Sequence, residues 1–273
     1  MSTTSTPSAD GTTEAPASAC CDDPHDHTGH DHGPTGSEIV TGLVRGFSVL
    51  SLLVPLLGLV MVIAGLPMTP STVLVPLLGI VLGGLQLGVI VATGLVVARG
   101  DRKLSVHPGL VVARSVLEEV LRVAAVLLVL ILWPAQARGP LGLWVGIGCA
   151  LVWVALTTAQ LVSARRRIAR PSEWSKEMVA TLLLEKVSVR RTMLMRVLDV
   201  IGLMLFQVGA TVLVTAAPVM AVATAVLSIA VGMSTLVQVR RTPHERTRSA
   251  WAFAPLAIGV ITAALAVLAS LSM

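Results

Sequence analysis

Charge is scarce in this chain. Only 13% of its 273 residues are Asp, Glu, Lys or Arg, against about 25% in a soluble domain. Hydrophobic residues make up 54%, and the mean hydropathy is +0.84. So few charges could not cover so much apolar surface in water, which excludes an ordinary soluble domain. A bilayer resolves the mismatch, because lipid replaces water as the solvent of the outer faces. Tyr is absent, so an aromatic belt at the membrane interface must rest on Trp and Phe. Cysteine is limited to Cys20 and Cys21, adjacent near the start, and Cys149 inside an apolar run. No evenly spaced disulfide framework can be built from these. Catalytic signatures are also missing. The chain has no phosphate-binding P-loop, no G-x-S-x-G and no H-E-x-x-H, and no apolar run carries a His/Asp pair at helical spacing to hold a metal.

Lys and Arg are absent from the first 38 residues, although the whole chain carries a net charge of +5. Residues 1–38 therefore form an acidic segment of Ser, Thr, Pro, Ala, Gly and Asp without an apolar period, and they are expected to be disordered. No basic start leads directly into an apolar stretch, so this segment does not read as a secretory signal. Residues 39–273 are expected to form a polytopic, all-α transmembrane bundle. Seven apolar stretches fall at about 43–65, 73–98, 114–133, 141–163, 197–216, 218–239 and 251–271, each near the ~20 residues needed to cross the hydrocarbon layer. Pro67, Pro70, Pro134, Pro140 and Pro218 mark breaks between them. The count depends on a tight turn at Thr215–Pro218, since 197–239 is otherwise almost continuous.

The basic residues set the expected orientation. Arg99, Arg102, Lys103 and Arg114 follow the second stretch. Nine Lys and Arg residues between Arg165 and Arg196 follow the fourth, and Arg240, Arg241, Arg246 and Arg248 follow the sixth. The intervening short turns hold only Arg138. The positive-inside rule places the three basic connections in the cytoplasm, with the N-terminus on the same side and the C-terminus outside. The expected location is the plasma membrane. The basic pI is then explained by topology and anionic headgroups, so no nucleic-acid partner is expected. The partners expected are the lipid bilayer and either further copies of the chain or a larger membrane complex.

Two constellations stand out chemically. The segment Cys20–Gly33 contains Cys20, Cys21, His25, His27, His30 and His32 beside Asp26 and Asp31. Imidazole, thiolate and carboxylate are ligands for divalent transition metals, so this tail is a candidate metal-binding segment. The bland alternative is a solvated low-complexity tail that binds metal only in vitro. The second constellation opens the third stretch. Its uninterrupted apolar run, Val123–Trp133, spans only about 16 Å as a helix, too short to cross. The span must draw in Arg122, Glu119, Glu118 and Arg114. Arg114 with Glu118, and Glu118 with Arg122, are spaced as i,i+4 pairs. Arg196 and Asp199 open the fifth stretch, and Arg45 the first, at similar depth. Glu118, Glu119, Arg122 and Asp199 are thus a candidate intramembrane charged site lining a cytoplasmic vestibule. Local neutralisation with snorkelling to the headgroups is the competing reading.

Gly79 with Gly83, and Gly84 with Gly88, form two G-x-x-x-G steps suited to close helix packing. Gln86, Gln160, Gln207 and Gln238 read as hydrogen-bonding glue between helices. The segment Glu173–Val187 reads as a helix along the membrane surface. The favoured function is non-enzymatic: a transporter, or an auxiliary or assembly subunit of a membrane complex. A metal-handling membrane protein and a membrane-embedded lipid-modifying enzyme are the alternatives.

Overall fold

The computed structural model describes residues 36–68, 70, 72–99, 107–170, 180, 188–242, 245 and 249–271. The His-rich tail and, apart from residue 180, the surface helix expected over 173–187, with Trp174, lie outside them. Every regular element among the described residues is helical. Seven long helices follow one another: α1 (Gly36–Gly65), α2 (Leu74–Arg99), α3 (Pro108–Leu132), α4 (Arg138–Ile168), α5 (Val189–Ala216), α6 (Ala221–Val239) and α7 (Ala254–Leu271). Six of them are long and apolar enough to cross a membrane. The seventh, α3, has the length, at 25 residues, but carries Arg114, Glu118, Glu119 and Arg122.

The helix ends follow the local chemistry. α1 begins at Gly36, inside the segment read as tail, with Glu38 in its first turn. A carboxylate there complements the positive end of the helix dipole. α3 starts on Pro108, and the His107 side chain caps it by accepting from Gly109 N–H at 3.2 Å. Proline at the first helical position has no orphan N–H to satisfy. α4 runs out through Arg165, Arg166 and Arg167, cations suited to a C-terminus. The break between α5 and α6 falls where Pro218 requires it. Ala217 is extended (φ −144°, ψ 108°), and Pro218–Met220 form a 3-10 turn.

Six helices close into a ring in the order α2, α3, α6, α7, α5, α4, with α1 packed outside on α4 and α5. α4 and α5 are the most enclosed, each burying more than half of its most apolar stretch. The remaining helices expose whole rows of aliphatic side chains, such as Leu52, Ile131 and Val222, faces suited to lipid tails. Three seams bring backbones into direct contact: α2 with α4, α4 with α5 (a Cβ on Gly146 would lie 2.7 Å from Val208 Cα), and α5 with α7. A Cβ on Gly79 of α2 would lie 2.2 Å from the Val145 carbonyl oxygen of α4, and one on Gly259 of α7 would lie 2.2 Å from the Gly202 oxygen of α5. Gly84 and Gly88 differ, with no neighbouring atom within 4 Å of an added Cβ. The first G-x-x-x-G is therefore a seam inside the bundle, and the second faces outward.

Trp133 terminates α3. Trp144 Nε1 donates to the Met68 carbonyl at 2.8 Å, tying α4 to the connection after α1. Trp251 lies half-exposed before α7. All three sit at helix ends, as an interfacial belt requires.

Candidate functional site

The buried polar groups of five helices converge beside α3. Arg122 and Glu119, three residues apart, share one face, and both are almost completely enclosed (1% and 3% exposed). Arg122 Nη1 donates to Glu119 Oε2, and Nη2 donates to Gln207 Oε1 of α5 at 2.7 Å. Its guanidinium carbon lies 5.3 Å from the centre of the Phe206 ring, within reach of a cation–π contact. The other oxygen of Glu119 accepts from the Thr224 hydroxyl of α6. The network then extends through α4 to α2. Cys149 Sγ lies 3.6 Å from Gln207 Oε1 and 3.3 Å from Gln86 Oε1, so its single proton has two acceptors. Trp153 Nε1 also donates to Gln86 Oε1, at 3.4 Å. Gln86 Nε2 returns to α3 at the Glu118 carbonyl, 3.5 Å away.

The sequence reading paired Arg122 with Glu118 at i,i+4. The structure corrects this. Glu118 is held by Arg114 at 2.7 Å, and Arg122 takes Glu119 at i,i+3. The cause lies outside α3. Glu119 faces Thr224, and Arg122 faces Gln207 and Phe206, so the inward pair is completed by α5 and α6. The Arg114–Glu118 pair sits further round the helix and is partly open, with side chains 39% and 14% exposed.

A cavity of about 520 Å³ lies between the α3–α6 and α4–α5 sides of the ring. Arg114 and Glu118 line it from α3, and Arg196 and Asp199 from α5. Thr157 and Gln160 belong to its α4 wall, and its inner end reaches Trp153, Phe206 and Gln207. Arg196 is the cation whose field acts on Asp199. The expected vestibule thus gathers two of its four candidates, Glu118 and Asp199, together with Arg114 and Arg196. Arg122 and Glu119 stand behind its end wall, joined to it through Gln207. Arg45 is elsewhere, in a shallow surface hollow with Glu38.

One donor in this assembly is left over. Arg122 Nε is buried and has no hydrogen-bond acceptor among the described residues, an arrangement that is costly in an apolar interior. No group of three or more His, Cys, Asp or Glu residues able to hold a metal occurs among the described residues. Cys20, Cys21, His25, His27, His30 and His32 fall outside them.

Sequence reasoning named Glu119, Arg122, Gln86 and Gln207 but gave the glutamines only a packing role. It assigned no role to Thr224, Phe206 or Cys149. Thr224 and Cys149 are single weakly polar residues in long apolar helices, and nothing local distinguishes them from their many counterparts. Phe206 is one of only three Phe residues, the one signal that was present.

The helices, their lipid-type outer faces and the enclosed polar network are those of a multi-pass integral membrane protein. No family model matches the chain, and no curated protein or solved structure shows a significant match to it.

Proposed function

We propose that the protein is a cell-membrane transporter for a small polar solute, and that the cavity between the α3–α6 and α4–α5 sides is its solute site. The observation that carries this reading is the enclosed Arg122–Glu119 pair, bonded through Gln207 to the end of a 520 Å³ cavity. Ionisable groups inside a membrane are expensive, and where they persist they mark solute or ion pathways. The orphaned Nε of Arg122 supports the same reading, because it leaves a spare buried donor on the residue bonded to the inner end of the cavity. Two cations, Arg114 and Arg196, and two acids, Glu118 and Asp199, line the walls. That balance suits a zwitterionic or neutral polar solute better than a multiply charged ion. In this proposal all seven helices span, α3 included, and the basic connections and N-terminus are cytoplasmic, so the cavity opens to the cytoplasm. A structural subunit would have no need of the cavity. The enzymatic alternative is weakened by the engagement of Glu118 and Glu119 in ion pairs.

The test compares cells lacking the gene with cells restored by the wild type, Glu118→Gln or Asp199→Asn. Small-molecule pools and membrane lipids are profiled together with the amount of protein in the membrane. The expected result is a changed level of a few polar solutes, corrected by the wild type and not by variants present in equal amount. A change confined to lipid species would replace the proposal with a lipid-modifying enzyme. Loss of a membrane complex with unchanged solutes would replace it with an assembly subunit.

A further inference from the structure

The opposite end of the bundle holds a second, larger hollow with different chemistry. It is a groove of about 1070 Å³ running over α5 between α1 and α7. α1 and α7 both pack on α5 and meet one another little, which leaves the groove open at the bundle surface. Its walls are apolar and mostly small, among them Ala64, Val208, Val212, Ala263 and Val267. Along α5 it extends from Leu205 to Ala216, about 16 Å at 1.5 Å per residue. One leaflet of a ~30 Å hydrocarbon layer has the same depth, about 15 Å.

Arg138 stands at the rim. It opens α4, is exposed, and donates to the Ala216 carbonyl at 3.3 Å. Among the described residues it is the one charged side chain at this end of the bundle, and no acid pairs with it. Trp133 and Trp144 lie a few residues to either side and mark headgroup level. The guanidinium is therefore at the height of lipid phosphates, with an apolar slot one leaflet deep beneath it.

We infer that this groove is a site for one anionic phospholipid, with the headgroup phosphate on Arg138 and an acyl chain lying between α1 and α7. The chain contributes shape rather than affinity, since it only exchanges one apolar surrounding for another. The preference comes from the single cation, whose effect near a membrane surface is on the order of a fivefold enrichment of anionic lipid. This inference is independent of the solute cavity at the other end.

The experiment uses the full chain in vesicles of equal phosphatidylglycerol and phosphatidylcholine, extracted gently and weighed by native mass spectrometry. The wild type should retain one lipid, phosphatidylglycerol over phosphatidylcholine by about fivefold. Arg138→Gln should retain a lipid with little preference, while leaving the basic connections at the other end untouched. Ala64→Trp and Val267→Trp start from exposed positions, so they fill the groove without disturbing the core, and they should lose the retained lipid of either kind. The inference is overturned if the wild type shows no preference, if the preference survives Arg138→Gln, or if the lipid persists in the groove-filling variants.

Discussion

Glu119→Leu and Arg122→Met, made singly and together, separate an enclosed ion pair from one that reaches water. Removing Glu119 leaves a guanidinium, 1% exposed, with only the Gln207 amide and the Phe206 ring as partners. Removing Arg122 leaves the Glu119 carboxylate with only the Thr224 hydroxyl. Breaking a buried pair from one side typically costs about 3–5 kcal/mol, whereas replacing both charges with apolar groups of similar volume is often neutral or stabilising. The neighbours favour the second outcome here. With both charges gone, Thr224 keeps its bond to the Ala221 carbonyl at 3.1 Å, and Gln207 Oε1 still has the Cys149 thiol, shared with Gln86, at 3.6 Å. Each single variant should therefore lose about 3–5 kcal/mol. Additivity would place the double variant at about 6–10 kcal/mol, whereas it should lie within about 2 kcal/mol of the wild type. Tryptophan fluorescence during titration of the micelle-bound protein with sodium dodecyl sulfate measures these differences. Single losses below about 1 kcal/mol that simply add in the double variant would refute the reasoning. They would show that both charges snorkel to water and behave as an exposed pair. The double variant also separates stability from function, because it should fold yet fail to correct the solute levels of a deletion strain.

Three further outcomes are expected. Gly79→Val should abolish folding, since even a Cβ there meets the Val145 backbone at 2.2 Å, whereas Gly84→Ala and Gly88→Ala should leave expression and melting temperature unchanged. In a Cys20→Ser/Cys21→Ser background, Cys149, fully buried, should resist a membrane-impermeant thiol reagent until denaturation, while Thr157→Cys on the cavity wall should react in the folded protein; equal resistance of both would mean the cavity is closed to water. A peptide of residues 18–36 should bind zinc, nickel or copper at tens of micromolar in calorimetry, as expected of flexible imidazole and thiolate ligands, and the metal-handling reading falls if it binds none.

The fold was legible wherever apolar length decides the structure. Each of the seven stretches corresponds to a long helix, and Pro218 breaks the longest run where a proline must. Extra turns were missed at several starts: α1 begins at Gly36 and α3 at Pro108, because the transfer energies that define a span are silent about a helix emerging into the headgroups. The site was half legible. The shortness of Val123–Trp133 forces charges into α3, and that inference needs no structure. The identity of Arg122's partner did need one. Glu118 and Glu119 are adjacent, and both i,i+3 and i,i+4 are good helical spacings. The choice is made by Thr224 and Gln207, about a hundred and about ninety positions further along the chain. Glutamines spaced far apart in sequence carry no local sign that they converge, so Gln86 and Gln207 read as separate packing residues.

The seams of the ring also predict which part moves. α2, α4, α5 and α7 are joined in turn at Gly79, Gly146 and Gly259 by backbone contacts with no side chain between them, and such contacts leave no room for sliding. α3 and α6 each pack more on the other than on any other helix, with Gly232 of α6 against Val111 of α3. Across the cavity they are tied to the rest by side-chain bonds, chiefly Arg122 to Gln207. A bistable network is easier to rearrange than a close-packed seam, so changing access to the cavity should move α3 and α6 together against a fixed block. Spin labels at Leu95 of α2 and Ser163 of α4 report within the block, and labels at Ser163 and Val239 of α6 report across the cavity. In lipid nanodiscs the first pair should give one narrow distance distribution. The second should give a broad or two-peaked one that shifts toward its longer distances when Arg122→Met/Glu119→Leu releases the tie. Equally narrow distributions for both pairs, unchanged in the double variant, would mean that the bundle is a single rigid body and that the cavity has no second state to open into.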